Sequence, residues 1–132
     1  MADTPENSLL IRTLIKPEGQ LDIYLDETAV DQPGENQVLV KVLAAPINPS
    51  DLGLLVGAAD MSTAQQTSMN GHPAVTADVP ASGLRAMAGR LGEAMPVGNE
   101  GAGRVIAAGS DARAQALMGR TVAVITGGMY AQ

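Results

Sequence analysis

Residues 96–105 read PVGNEGAGRV, with glycines at Gly98, Gly101 and Gly103 and an acid, Glu100, among them. How those glycines are understood decides the fold. A dinucleotide loop needs Gly-x-Gly-x-x-Gly after a strand and at the start of a helix, so that helix N–H groups meet the pyrophosphate. Here the order is reversed to Gly-x-x-Gly-x-Gly, and the residues that follow, Arg104-Val105-Ile106-Ala107-Ala108, have the composition of a strand. A P-loop is excluded too, because Gly-Lys-Ser/Thr occurs nowhere in the chain. The stretch is therefore a tight backbone turn feeding a strand, not a phosphate cradle.

The flanking sequence points to a sheet protein. Residues 8–15 (SLLIRTLI) meet Lys16-Pro17-Glu18-Gly19, after which Leu21, Ile23 and Leu25 alternate with Asp22, Tyr24 and Asp26. Two strands joined by a Pro-Gly turn are predicted. Val38, Val40 and Val42 then mark a third strand over 36–44. Pro46 and Pro49 hold the residues before them extended, and a short helix is expected over 52–56 with Ser50 or Asp51 as its cap. Leu84, Met87, Ala88 and Leu91 show helical spacing, with Ser82 as N-cap and Gly92 as C-cap. This helix belongs to a 58–95 segment that has the character of an insertion. A helix over 111–118 and a strand over 120–125 complete the expectation.

Composition narrows the function classes. The 132 residues are 45% hydrophobic, enough for one domain with a real core, but Phe and Trp are absent and Tyr24 and Tyr130 are the only aromatics. The core must come from aliphatic residues and methionine. Net charge is −6, with eight acids against two bases up to Glu35 and six against six beyond it. Without a basic patch or stacking platform, nucleic acid is not an expected partner. No leader-like start and no run of about 20 apolar residues argue for a soluble, cytoplasmic protein with no membrane partner.

Metal and nucleophile chemistry have little to work with. Catalytic zinc takes three His, Cys or carboxylate ligands, and this chain has no cysteine and one histidine, His72, in a predicted loop. His72 is either an exposed turn residue or a group for metal binding or proton transfer. No Gly-x-Ser-x-Gly elbow presents a serine. Glu100 has apolar neighbours on both sides, which suggests partial burial and therefore a partner; Arg104, Arg85 and Arg90 are the bases on offer. Its role is open between structure and function.

Three motifs in order carry a resemblance: Leu43-Ala44-Ala45-Pro46-Ile47-Asn48-Pro49-Ser50-Asp51-Leu52, then Pro96-Val97-Gly98-Asn99-Glu100-Gly101-Ala102-Gly103, then Met118-Gly119-Arg120-Thr121-Val122-Ala123-Val124. Together they resemble the amino-terminal half of a medium-chain dehydrogenase/reductase, nearest its zinc-free, NADPH-dependent quinone oxidoreductase branch. The likeness covers nearly the whole chain apart from 58–95. It implies a mainly β, α+β fold with short helices, a GroES-like partly open β-barrel over 1–132, and a small-molecule substrate.

By resemblance, the zinc-site cysteine and histidine positions of alcohol dehydrogenases are Asn48 and Asn99 here, so no zinc is expected. Asn48 and Asp51 would face the nicotinamide end of the cleft, Ser50 matches a proton-relay hydroxyl, and Tyr130 matches an aromatic near the domain junction. Asn99, Glu100 and Tyr130 are thus expected in the substrate and cofactor cleft. Helix capping is the competing role for Ser50 and Asp51. Enoyl thioester reductases of the same branch carry a tyrosine soon after this motif, where Gly57-Ala58-Ala59-Asp60 stands here. The 58–95 segment is either a lid or substrate wall or a surface insertion. The family holds its dinucleotide on a following Rossmann domain, and no Gly-x-Gly-x-x-Gly unit occurs here. An amino-terminal fragment, inactive alone and homodimeric when complete, is the implied state; a stand-alone GroES-like interaction module is the rival.

Overall fold

The computed structural model describes residues 4–132. β1 (Asn7–Lys16) and β2 (Gln20–Ala29) form a hairpin, registered from Asn7 opposite Ala29 to Lys16 opposite Gln20. Its turn needs Gly19, whose φ of 99° is strained for any other residue. β3 (Val38–Ala44) leads through the two prolines into α1 (Pro49–Leu55). β4 (Asp60–Met69) and β5 (His72–Asp78) follow, then α2 (Ala81–Ala86) and a single tight helical turn at Ala88–Arg90. β6 (Met95–Pro96), β7 (Glu100–Ala108), α3 (Ala112–Gln115) and β8 (Thr121–Ile125) end the series. The protein is mainly β with short helices, and no described helix is long and apolar enough to cross a membrane.

The strands make two sheets, β4-β5-β2-β1-β6 and β3-β7-β8. They are not closed into a barrel. The glycine-rich stretch connects them: β6 pairs with β1, β7 pairs with β3 and β8, and between them the chain turns from one sheet to the other at Gly98, where φ is 93°. After β8 the chain returns to the first sheet, Tyr130 and Gln132 bonding the backbone of β1 at Ile11 and Leu9.

Alternation along β1 and β2 sets the main core. Ile15 and Leu21 are opposite each other, 0% and 1% exposed, and join Val79 in a cluster flanked by Val56, Leu84, Met87 and Leu91. Burial of each large aliphatic chain contributes about 1.5–3 kcal/mol. Two ion pairs sit in the same sheet, Arg12 with Asp26 and Lys16 with Asp22; the Asp22 side chain is 1% exposed and meets Lys16 Nζ at 2.7 Å.

Several sequence expectations are corrected. α1 starts at Pro49 with Asn48 as the capping position, so Ser50 and Asp51 lie inside the first turn. Proline at the first helical position needs no N–H, and this moves the start forward. α2 likewise starts after Pro80, not Ser82, and it ends at Ala86 instead of continuing to Leu91. Leu84, Met87 and Leu91 still pack on the core as their spacing implied. The 58–95 segment also holds an unforeseen hairpin, β4–β5, which extends the main sheet through β2. His72 therefore begins a strand instead of occupying a loop.

Candidate functional site

The Asn48-Pro49-Ser50-Asp51 segment is shaped by its own sequence. Asn48 precedes a proline and is extended, with φ −94° and ψ 157°. Asp51, 1% exposed, turns its carboxylate back to accept the Asn48 N–H at 2.8 Å. That bond satisfies one of the orphan donors at the helix start and fixes Asp51.

The second wall is the turn into β7. Here the glycines have separate duties. A β-carbon at Gly98 would lie 2.7 Å from the Tyr130 ring, and one at Gly101 would lie 2.8 Å from the Ala44 carbonyl. At Gly103 it would strike the Lys41 carbonyl. The glycines let two backbones and an aromatic ring approach closely.

This close approach brings the two walls into contact through complementary pairs. Asn48 Nδ2 donates to Glu100 Oε1 at 2.9 Å, and Asn99 Nδ2 donates to Asp51 Oδ1 at 3.0 Å. Ser50 Oγ lies 3.4 Å from the same Asn99 nitrogen. Tyr130 closes the group by donating its hydroxyl to the Pro46 carbonyl at 3.0 Å, having packed its ring on Gly98. All six residues singled out from the sequence, Asn48, Ser50, Asp51, Asn99, Glu100 and Tyr130, are thus in one cluster.

Glu100 takes an amide partner instead of one of the arginines on offer. Among the described residues the ion pairs are Arg12 with Asp26, Lys16 with Asp22 and Arg113 with Asp111, so no cation neutralises Asp51 or Glu100. Charge-assisted hydrogen bonds from carboxamides do the holding. Burial, reinforced by the Asp51 carboxylate, raises the Tyr130 hydroxyl above its ordinary value, so the phenol keeps its proton through the neutral range.

A carboxamide NH2 has two hydrogens: Asn48 commits one to Glu100, which orients the group and leaves a second N–H as a donor, whereas Asn99 directs its two to Asp51 Oδ1 and Ser50 Oγ. An open cleft of about 510 Å³ lies alongside, bounded by Ala44, Ala45, Pro46, Gly101 and Ala102 with Glu100 as its one ionisable lining residue. The arrangement can hold a polar oxygen against oriented amides, with the exposed Ser50 hydroxyl at the rim. It is poorly suited to a zinc ion, since the two nitrogen-bearing side chains are neutral amides that donate. Among the described residues no three His, Cys, Asp or Glu side chains gather as metal ligands. His72 belongs to the β4–β5 hairpin and makes no hydrogen bond to this cluster.

Sequence reasoning missed the residues behind the cluster. Thr13, 0% exposed, donates to the Leu55 carbonyl at 3.0 Å, and Arg90 donates to the Leu54 carbonyl at 2.8 Å. A threonine on the apolar face of a predicted strand was the available signal for the first. No family model matches the chain.

Proposed function

We propose that the chain is the substrate-side, GroES-like domain of a zinc-independent, NADPH-dependent oxidoreductase that reduces a quinone or an activated carbon–carbon double bond. The observation that carries this reading is the double link of Asn48 to Glu100 and Asn99 to Asp51. It joins two motifs about fifty residues apart at the positions where the resemblance expects chemistry. The two sheets, exchanging the chain at Gly98, are compatible with a partly open barrel.

When bound, the nicotinamide supplies the hydride, which goes to carbon. The oxygen that gains electron density would be met by the remaining Asn48 N–H, whose orientation is set in advance by Glu100, while Asn99 holds Asp51 and Ser50 in place. The proton that completes the reduction would come from the Ser50 hydroxyl and be replaced from solvent. Only the reacting end of a dinucleotide fits these residues: the open cleft beside Glu100 offers no cation and no helix start to a pyrophosphate. The nucleotide would be held by a dinucleotide-binding unit that these 132 residues do not contain, and the chain by itself would not turn over. A cytoplasmic, homodimeric complete enzyme is part of the same reading.

The protein in which this chain is joined to such a unit should consume NADPH when given a benzoquinone or cyclohexenone. No consumption with either would sink the proposal. Elemental analysis of the purified protein should find no stoichiometric zinc, and zinc held through Glu100 or His72 would overturn the argument from the two asparagines. One observation favours the interaction-module alternative. Ile125, Ile47 and Leu43 are 88%, 73% and 63% exposed, an apolar character that suits a contact surface. Ring-sized species in solution, with no reductase activity in any form, would support it.

A further inference from the structure

We propose that Arg90 is a positioning residue: from the 58–95 segment it clamps the carboxyl-terminal turn of α1 and so sets the helix that presents Asn48, Ser50 and Asp51. α1 is only seven residues long, too short to hold its shape without tertiary support, and its last turn has no basic residue of its own. The carbonyls left over at that end need donors from elsewhere. Val56 N–H takes Leu52 O within the chain's own turn, while Leu54 O and Leu55 O are served from outside.

Arg90 Nη1 donates to Leu54 O at 2.8 Å, and Nη2 donates to Thr13 Oγ1 at 3.3 Å. That hydroxyl in turn donates a hydrogen bond to Leu55 O at 3.0 Å. The polarity is consistent along the chain, since a hydroxyl can accept once and donate once. A cation facing helix carbonyls also complements the negative end of the helix.

Two features mark this as more than packing. Arg90 has no carboxylate partner among the described residues, so the helix end is the polar environment it has. Its Nε is buried without an acceptor, an unfavourable arrangement retained while the fork reaches both α1 and β1. Burial lowers its affinity for the proton, in keeping with a desolvated guanidinium. The backbone around it is fixed as well: Gly92 N–H bonds Ile15 O at 2.8 Å, and Leu91 bridges Ile15. The clamp therefore runs from the core strand to the last turn of α1, while the reactive cluster occupies the first. This gives the 58–95 segment a role as a support for the site.

The bearing of Arg90 on turnover rests on the reduction proposed above, but its geometry can be tested without any activity. In a Tyr24→Phe background, Tyr130 is the single phenol in a chain without tryptophan, and its ionisation can be followed by ultraviolet absorbance. Arg90→Met should lower the Tyr130 midpoint toward that of a free phenol and speed hydrogen exchange at the Leu52 and Val56 amides about tenfold relative to Ile15. Arg90→Lys, which keeps one charged donor, should recover part of both. Leu84→Ala, which removes packing on Ile15, Leu21 and Val79, should leave the midpoint in place. Should Arg90→Met fail to fold, Thr13→Val, which severs the link to Leu55 O, should show the same selective loosening of α1. Uniform acceleration of exchange in these variants, or an unmoved Tyr130 midpoint, would overturn the proposal.

Discussion

The two sheets are held together by different means. In the five-stranded sheet side chains do the work: Ile15, Leu21 and Val79 are sealed under Leu84, Met87 and Leu91. In the three-stranded sheet backbones pack on each other through Gly101 and Gly103, and the apolar side chains of Leu43 and Ile125 point into solvent. The clustered core lies against the first sheet, and Val105 of β7 is the large side chain that the second sheet buries. The second, with α1, carries the polar cluster and is held by hydrogen bonds and close approach. A site of oriented amides needs a rigid backbone more than a large core, which is what paired glycine strands provide.

The contrast can be broken from either side. Leu21→Ala should have the largest effect on stability, about 3 kcal/mol by chemical denaturation, because it opens a cavity in the sealed core. The Asn48 and Asn99 side-chain amide signals should keep their native positions in the folded fraction; their collapse would show that core and cluster are one unit. Gly103→Ala should cost about 2 kcal/mol, since its β-carbon would press on the Lys41 carbonyl and Val40. Here the amide signals should move, because Glu100 and Asn48 flank the strands being pried apart. A silent Gly103→Ala would mean that the strands can separate freely.

The smallest effect is expected in alkali. The hydrogen bond that Lys16 donates to the Asp22 carboxylate raises Lys16, and burial raises Tyr130. Both groups hold their protons more tightly when folded, so their contribution is complete below the unfolded values, near 10.5 and 10.0, and is lost as pH rises through the raised folded ones. A denaturation series at increasing pH should therefore show stability declining from about pH 10 upward. Tyr130→Phe should remove the part belonging to the cluster and Lys16→Met the part belonging to the main sheet. An alkaline limb unchanged by either variant would refute the assignment.

How far the sequence revealed all this depended on where apolar residues could report. β1, β2 and β3 were legible because one face of each is apolar and their turns contain proline or glycine. β4, DMSTAQQTSM, is almost entirely exposed and so carries no alternation to detect. Its hairpin was announced instead by Asn70-Gly71, whose positive φ values of 53° and 78° suit a two-residue turn, a signal that the single histidine beside it obscured. β7 begins at Glu100 and not Arg104 because Gly101 and Gly103, suggestive of a turn in sequence, are strand residues chosen for close approach. The membership of the cluster followed from the motifs. Its pairing did not, since a carboxylate and an amide fifty residues apart leave no local trace. The Arg90 clamp was hidden for the same reason.

The most direct test of the account is the Asn48→Ala variant of a protein in which this chain is joined to a dinucleotide-binding unit, as proposed, assayed for quinone-dependent NADPH consumption beside a thermal or chemical melt. Loss of one oriented donor predicts turnover lower by about a hundredfold, while stability falls by only about 1 kcal/mol from the lost helix-start position. Turnover that stays at the wild-type level, or that falls only in step with stability, would contradict the claim that the Asn48–Glu100 and Asn99–Asp51 pairs form the reaction site.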